Sequence, residues 1–174
     1  MSGELIQSYY TDHVRQEWRR LSQDAYHRLE YETSLHFMER YLPAQGRVLD
    51  AGGGPGRYTV ELARRGYDVS LLDFTPANLE FARRRIRRAG LSKRVKEVIE
   101  GSITDLSRFA DDNFDAVLCT GGPLSHVMDA RERERALAEL VRVAKPGAPL
   151  FISVMSRLGV LIVELLIGQH ELEM

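Results

Sequence analysis

The residues with the clearest chemical meaning are Asp50-Ala51-Gly52-Gly53-Gly54-Pro55-Gly56. They follow the apolar pair Val48-Leu49 and precede a helical pattern that begins at Arg57. Glycine has no Cβ, so this run can turn sharply and let backbone approach a ligand. Free N–H groups at a helix start favour an anionic or polar ligand group. The bland alternative is a strand-to-helix turn with no ligand, and ordinary turns rarely need so many glycines. The rival functional reading is a dinucleotide turn, whose Gly-x-Gly-x-x-Gly fingerprint needs a glycine three residues after its second. Counted from Gly52 and Gly54, that position holds Arg57. The spacing is instead Gly-x-Gly-x-Gly, with Asp50 two residues before it.

Asp73 closes the next apolar run, Val69 to Leu72, and Phe74 follows it. A carboxylate at a strand end, after such a loop, can accept both ribose hydroxyls of a nucleoside. A strand-end aspartate can also be a helix cap, a role for which Thr75 competes. Phe74 either flanks an adenine or packs into the core.

These residues need elements to hold them. Trp18, Leu21, Ala25, Leu29, Leu35, Phe37, Met38 and Leu42 recur at helical spacing, so residues 1–43 read as an N-terminal helical segment. Residues 44–155 then alternate strand and helix. Strands are predicted at Val48-Leu49, Val69–Leu72, Val95–Ile99, Phe114–Cys119 and Leu150–Val154. Helices are predicted from Arg57 to Arg65 before Gly66, from Pro76 to Ala89 behind Thr75, and from Asp129 to Ala144 before Lys145-Pro146-Gly147. That alternation predicts an α/β, doubly wound, mainly parallel sheet with right-handed crossovers. Residues 156–174 read as a helical cap, and the whole chain as one domain.

Composition bounds the function. The net charge of -1 over 174 residues gives no overall pull toward nucleic acid or an anionic membrane. The single cysteine, Cys119, excludes an internal disulfide and a multi-cysteine zinc site, and suits a reducing cytoplasm. The longest apolar run, Leu158 to Ile167, is interrupted by Glu164 and is too short to span a bilayer.

The glycine loop and Asp73 together resemble the first two motifs of class I S-adenosylmethionine-dependent methyltransferases, and the resemblance covers about residues 46–155. Gly101-Ser102-Ile103-Thr104-Asp105 is similar to the third motif. Ser102 stands where the family often has an acid, and the backbone at Ile103 remains to meet the adenine edge. Asp105 reads equally well as a helix cap. Phe114-Asp115-Ala116-Val117-Leu118-Cys119 resembles the fourth strand, and Lys145-Pro146-Gly147 the turn before the fifth. Thr120-Gly121-Gly122-Pro123-Leu124-Ser125-His126 looks like the small-molecule branch, and it lacks the Asn/Asp-Pro-Pro-aromatic tetrapeptide of enzymes that methylate adenine or glutamine amide nitrogen.

The resemblance implies a Rossmann-like fold with an N-terminal helical lid and S-adenosyl-L-methionine as cofactor. It implies Asp50, Gly52, Gly54, Asp73, Phe74, Ser102, Ile103 and Cys119 as cofactor-site residues, and methyl transfer to a small-molecule acceptor. No metal is required, because the sulfonium methyl is already activated. An NAD(P)-dependent oxidoreductase and a catalytically silent methyltransferase-like protein are the alternatives.

Other residues weigh less. As a nucleophile Cys119 is disfavoured, since an apolar strand end calls for a small hydrophobe. His126 follows the active edge of the sheet and is either a general base or a loop histidine. His13, His27 and His36 show no metal-like pairing. The arginines at 83, 84, 85, 87 and 88 read as a solvated helix face. Tyr9, Tyr10 and Tyr31 line a lid or pack into the core. The family sheet has seven strands, the last two an antiparallel pair, whereas five are found here. The chain is therefore expected to be an incomplete member with an apolar face open beside strand five. Leu158, Val160, Leu161, Leu165 and Ile167 folding back, or a second copy in a homodimer, would cover that face.

Overall fold

The computed structural model describes residues 3–159 together with 161, 162 and 165. Five strands form one sheet: β1 (Arg47–Ala51), β2 (Asp68–Asp73), β3 (Val95–Glu100), β4 (Ala116–Cys119) and β5 (Leu150–Ile152). Their spatial order is β3-β2-β1-β4-β5, and every neighbouring pair is parallel. The helices are α1 (Gly3–Arg20), α2 (Ala25–Tyr41), α3 (Arg57–Arg64), α4 (Pro76–Arg88), α5 (Pro123–His126) and α6 (Ala130–Val143). The chain walks outward from β1 to β3, then returns past β1 to β4. That reversal makes the C-terminal ends of β1 and β4 the crevice of the sheet. The doubly wound Rossmann-like sheet expected from the alternation is the one observed.

Side-chain alternation along the strands divides the interior into two cores. Val48, Val69, Leu71, Ala116 and Leu118 pack with Leu62, Leu79 and Ile86 of α3 and α4 and with Leu35 and Met38 of α2. Leu49, Ala51, Leu72, Val117 and Cys119 pack with Phe109, Phe114 and the α6 residues Ala136, Leu140 and Val143. Central strands covered on both faces read as continuous apolar runs, which is why β1 and β4 show no polar alternation.

Caps follow local chemistry. The Asp129 carboxylate accepts from the Arg131 and Glu132 amides and starts α6. Pro76 takes the first position of α4, but Thr75 makes no side-chain cap bond; the Asp73 carboxylate accepts the Thr75 N–H instead. Asp105 caps no helix. It accepts from the Ser107 amide within a run of turns between β3 and β4. An aspartate accepting two residues on closes a turn as readily as it starts a helix.

β4 begins two residues later than the apolar pattern suggests, with Phe114 only bridging Ala144. β5 ends at Ile152 rather than Val154, because the chain then turns over α5, where the Met155 amide donates to Ser125. Ile152, Val154, Met155, Leu158, Leu161, Ile162 and Leu165 are all exposed. The fold-back of the described members of this group over strand five is therefore not observed; Val160 and Ile167 lie outside the described residues. Among the described residues no helix is long and apolar enough to cross a membrane.

Candidate functional site

The glycine loop joins β1 to α3 at the crevice. The amides of Gly52 and Gly53 donate to Leu72 O at 2.7 and 3.2 Å, which ties the loop to β2. Gly52 has φ +76°, and a Cβ there would lie 2.5 Å from Pro123 Cγ. Gly54 has φ +56°, and a Cβ there would meet only Asn78 Nδ2, at 3.8 Å. Close approach and a left-handed backbone thus dictate glycine at 52, and the backbone alone dictates it at 54.

Asp73 ends β2 opposite this loop and is 4% exposed. One carboxylate oxygen accepts from Gly54 N at 2.9 Å. The other accepts from Thr75 N at 2.9 Å and Asn78 Nδ2 at 3.2 Å. Burial raises its pKa, and the bonds from Thr75, Asn78 and Gly54 oppose that rise. A carboxylate has about four lone-pair positions. Three are engaged by the protein, so the ability to take two ribose hydroxyls at once is reduced to roughly one.

Asp50 lies below the loop rather than in its wall. It is buried, accepts from the Thr59 amide and hydroxyl at 3.1 and 2.6 Å, and leaves its other oxygen without a partner. Burial pushes its pKa up to about 6. A Cβ on Gly53 would strike its carboxylate at 2.5 Å, so Asp50 is the floor on which the loop rests. Cys119 is likewise out of the wall. It is wholly buried, its thiol pushed by burial up to about 12, and the next residue, Thr120, reaches the cavity instead.

The cavity has a volume of about 250 Å³. Gly52, Gly54, Asp73, Phe74, Ser102, Ile103 and His126 all line it. Ser102 is turned to its own loop, where its hydroxyl bonds Thr104. α1 lies across the opening as the expected lid. Gln7 Nε2 donates to Phe74 O at 2.8 Å, and Trp18 lies between Arg57 and Arg85, whose guanidinium carbons are 5.2 and 4.4 Å from its ring centroid. Of the three tyrosines singled out in sequence, Tyr10 lines the cavity, Tyr9 stacks outside on His13, and Tyr31 packs against Tyr58.

Several wall residues carried no expectation of a site role: Ile6, Glu17, Arg20, Leu21, Tyr58 and Asn78. Ile6, Glu17 and Arg20 share one face of α1, with Leu21 just past its end, and that stripe was the available signal. Arg20 pairs with Glu30 at 2.8 Å and with Glu17 at 3.5 Å. Burial raises the Glu17 pKa, and Arg20 opposes the rise. The cavity can therefore receive a nucleoside beside Asp73 and place its other end beneath α1, near charged groups of both signs.

Comparison with known proteins places this geometry. A family described as "Methyltransferase domain" matches residues 48–147. A glycine/sarcosine N-methyltransferase of Parasynechococcus marenigrum is 32% identical over 82% of this chain and 52% of its own length. A ubiquinone biosynthesis O-methyltransferase of Xanthomonas axonopodis pv. citri is 36% identical over 75% of this chain and 49% of its own. A solved SAM-dependent methyltransferase of Methanosarcina mazei superposes with a TM-score of 0.58 at 33% identity, covering 66% of this chain and 54% of that one. The chain thus spans about half the length of the curated relatives it matches. On the matched family and the glycine–aspartate crevice together, this chain belongs to the class I S-adenosylmethionine-dependent methyltransferases.

Proposed function

We propose that the protein transfers a methyl group from S-adenosylmethionine to a small-molecule acceptor, and that the cavity under α1 holds both. The observation that carries this reading is the pairing of Asp73 with the glycine loop through Gly54 N, at the crevice of the sheet. The residues suit the cofactor. A Cβ-free backbone lines one side, a nucleoside-sized space opens beside a carboxylate with a spare lone pair, and Phe74 and Ile103 offer apolar surface for the base. Asp73 accepts a ribose hydroxyl, and the backbone at Ile103 meets the adenine edge. Of the two arginines that line the cavity, Arg20 and Arg57, Arg20 lies at the end of α1 and takes the amino-acid carboxylate. When bound, S-adenosylmethionine supplies an electrophilic methyl carbon and departs as a thioether, so the protein need only align the acceptor and exclude water. α1 does the excluding, held down by Gln7.

The relatives named for glycine/sarcosine and ubiquinone-pathway methylation support a small acceptor of the amine or hydroxyl kind. The single thiol buried at Cys119 fits a reducing compartment, and we infer a cytoplasmic protein. The test is transfer of label from S-[methyl-³H]adenosylmethionine to a panel containing glycine, sarcosine and a catechol. Labelled product that disappears in Asp73→Asn supports the proposal. Cofactor binding without transfer to any member would assign the chain to a silent, binding role.

A further inference from the structure

We propose that Tyr10 and His126 form a proton relay for the acceptor, and that the acceptor is therefore one whose reacting atom carries a proton, a hydroxyl or an amine. The inference rests on the methyltransferase reading above and deepens it.

Tyr10 Oη and His126 Nε2 are 2.9 Å apart, and their rings meet edge to face at 5.7 Å. One comes from the lid helix α1 and the other from the end of α5, so the bond spans the cavity mouth between elements far apart in sequence. Both side chains line the cavity, together with Ile6, Gly121 and Val127. Neither ring makes another hydrogen bond to side chain or backbone among the described residues.

The surroundings set the protonation of both groups. Burial, with Glu17 and Tyr9 on the same helix and Asp73 on β2, pushes the phenol up to about 12 against the opposing pull of Arg20. Tyr10 therefore stays protonated. Burial lowers the pKa of His126, so its ring is neutral at pH 7. The relay takes the phenol as donor to an unprotonated Nε2, the arrangement in which the ring proton sits on Nδ1. The phenol oxygen keeps a lone pair that faces no protein donor, and a hydroxyl or N–H of the acceptor can fill it.

In the step that follows, the acceptor atom bonds to the methyl carbon with its own electron pair, and the S–C pair stays on sulfur. The acceptor's proton passes to Tyr10 Oη as the phenolic proton moves to His126 Nε2. The imidazolium then releases one proton to solvent from Nδ1, and exchange with solvent returns the ring to its Nδ1–H form. One proton leaves per methyl transferred. A thioether acceptor would have no proton for this path.

The same bond would exist if Tyr10 merely fastened α1 to α5, so the experiment separates the two roles. The full chain, ¹⁵N-labelled on histidine and saturated with S-adenosylhomocysteine, is examined by long-range ¹⁵N–¹H NMR. Tyr10→Phe, His126→Gln and the double variant are then compared for S-adenosylhomocysteine affinity and for methyl transfer to a catechol and to sarcosine. The relay predicts an Nδ1–H ring in the wild type that moves toward the Nε2–H form in Tyr10→Phe. It predicts affinity within threefold in both variants. It predicts a fall in kcat of about a hundredfold in each, with little further loss in the double. A wild-type Nε2–H ring, an unchanged tautomer in Tyr10→Phe, or additive losses overturns it. A tenfold loss of affinity assigns the bond to a fastening role and also overturns it. Failure of the wild type to bind S-adenosylhomocysteine, or binding with no methylation of either probe, sinks the methyltransferase reading itself, whereas a methylating wild type with the wrong tautomer or additive losses sinks only the relay.

Discussion

Replacing Asp73 by asparagine removes the charge while keeping the shape of the side chain, and the structure sets the size of the effect. The carboxylate holds Gly54 N, Thr75 N and Asn78 Nδ2, leaving about one lone pair for a ribose hydroxyl. A hydrogen bond to a charged group contributes about 1.5–3 kcal/mol, and a tenfold change in affinity is about 1.4 kcal/mol. Asp73→Asn should therefore weaken S-adenosylhomocysteine binding roughly ten- to hundredfold. The amide oxygen can still accept from Thr75 and Asn78, and the half-exposed Gly54 amide can turn to water, so the fold should survive. Asp73→Ala is the harsher comparison. It strips the acceptor from the buried Thr75 amide at a cost of about 1–3 kcal/mol in stability. Its affinity loss is then mixed with loop disorder. Isothermal calorimetry on the asparagine variant, with its melting transition checked, is the assay. A folded Asp73→Asn protein that binds within twofold of wild type would refute the ribose role.

Three further perturbations follow from the same geometry. Gly54→Ala has room for its methyl but must hold φ +56°, costing roughly 1–2 kcal/mol, whereas Gly52→Val must also displace Pro123. Thermal melts should show the first variant folded with weakened S-adenosylhomocysteine binding and the second lowered in melting temperature, and equal melts would contradict the contact. Asp50 titrates near 6 when folded against about 3.9 when unfolded, so the native state holds its proton more tightly and stability falls as pH rises through about 4 to 6. Urea titrations at pH 4.5 and 7 should show a larger drop for wild type than for Asp50→Asn, the difference being at most on the order of 2 kcal/mol, and parallel curves would exclude this origin. The exposed Ile152, Val154, Met155 and Leu158 beside the β5 edge should drive self-association of this chain. Light scattering should report a dimer that Val154→Lys weakens, and a monomer at high concentration would count against it.

The glycine-loop side of the cavity was legible because backbone geometry constrains residue type there. Only glycine tolerates the conformation and clearance at 52, and the acid at 73 is fixed by its place at a strand end. Asp50 and Cys119 carry the right motif positions but fall in the interior, because every residue of β1 after Arg47 and every residue of β4 is buried and the motif alone does not say which side chain surfaces. Asp105 shows the weakness of a short-range signal, since one side chain serves a turn or a helix start equally well. The part of the cavity beneath α1 was harder to see. Glu17 and Arg20 look like an ordinary surface i,i+3 pair on α1, and only the docking of that helix turns them into the cavity. Tyr10 and His126 meet through tertiary structure alone, and no spacing in the sequence announces the pair.

The most direct test of the central claim is a calorimetric comparison of S-adenosylhomocysteine with NAD and NADP on the full chain. The glycine loop with Arg57 in place of a third glycine, the Gly54–Asp73 bond and the lid predict saturable binding of S-adenosylhomocysteine at one site per chain, with no measurable heat from either dinucleotide. Binding of NAD or NADP with none of S-adenosylhomocysteine would contradict the account.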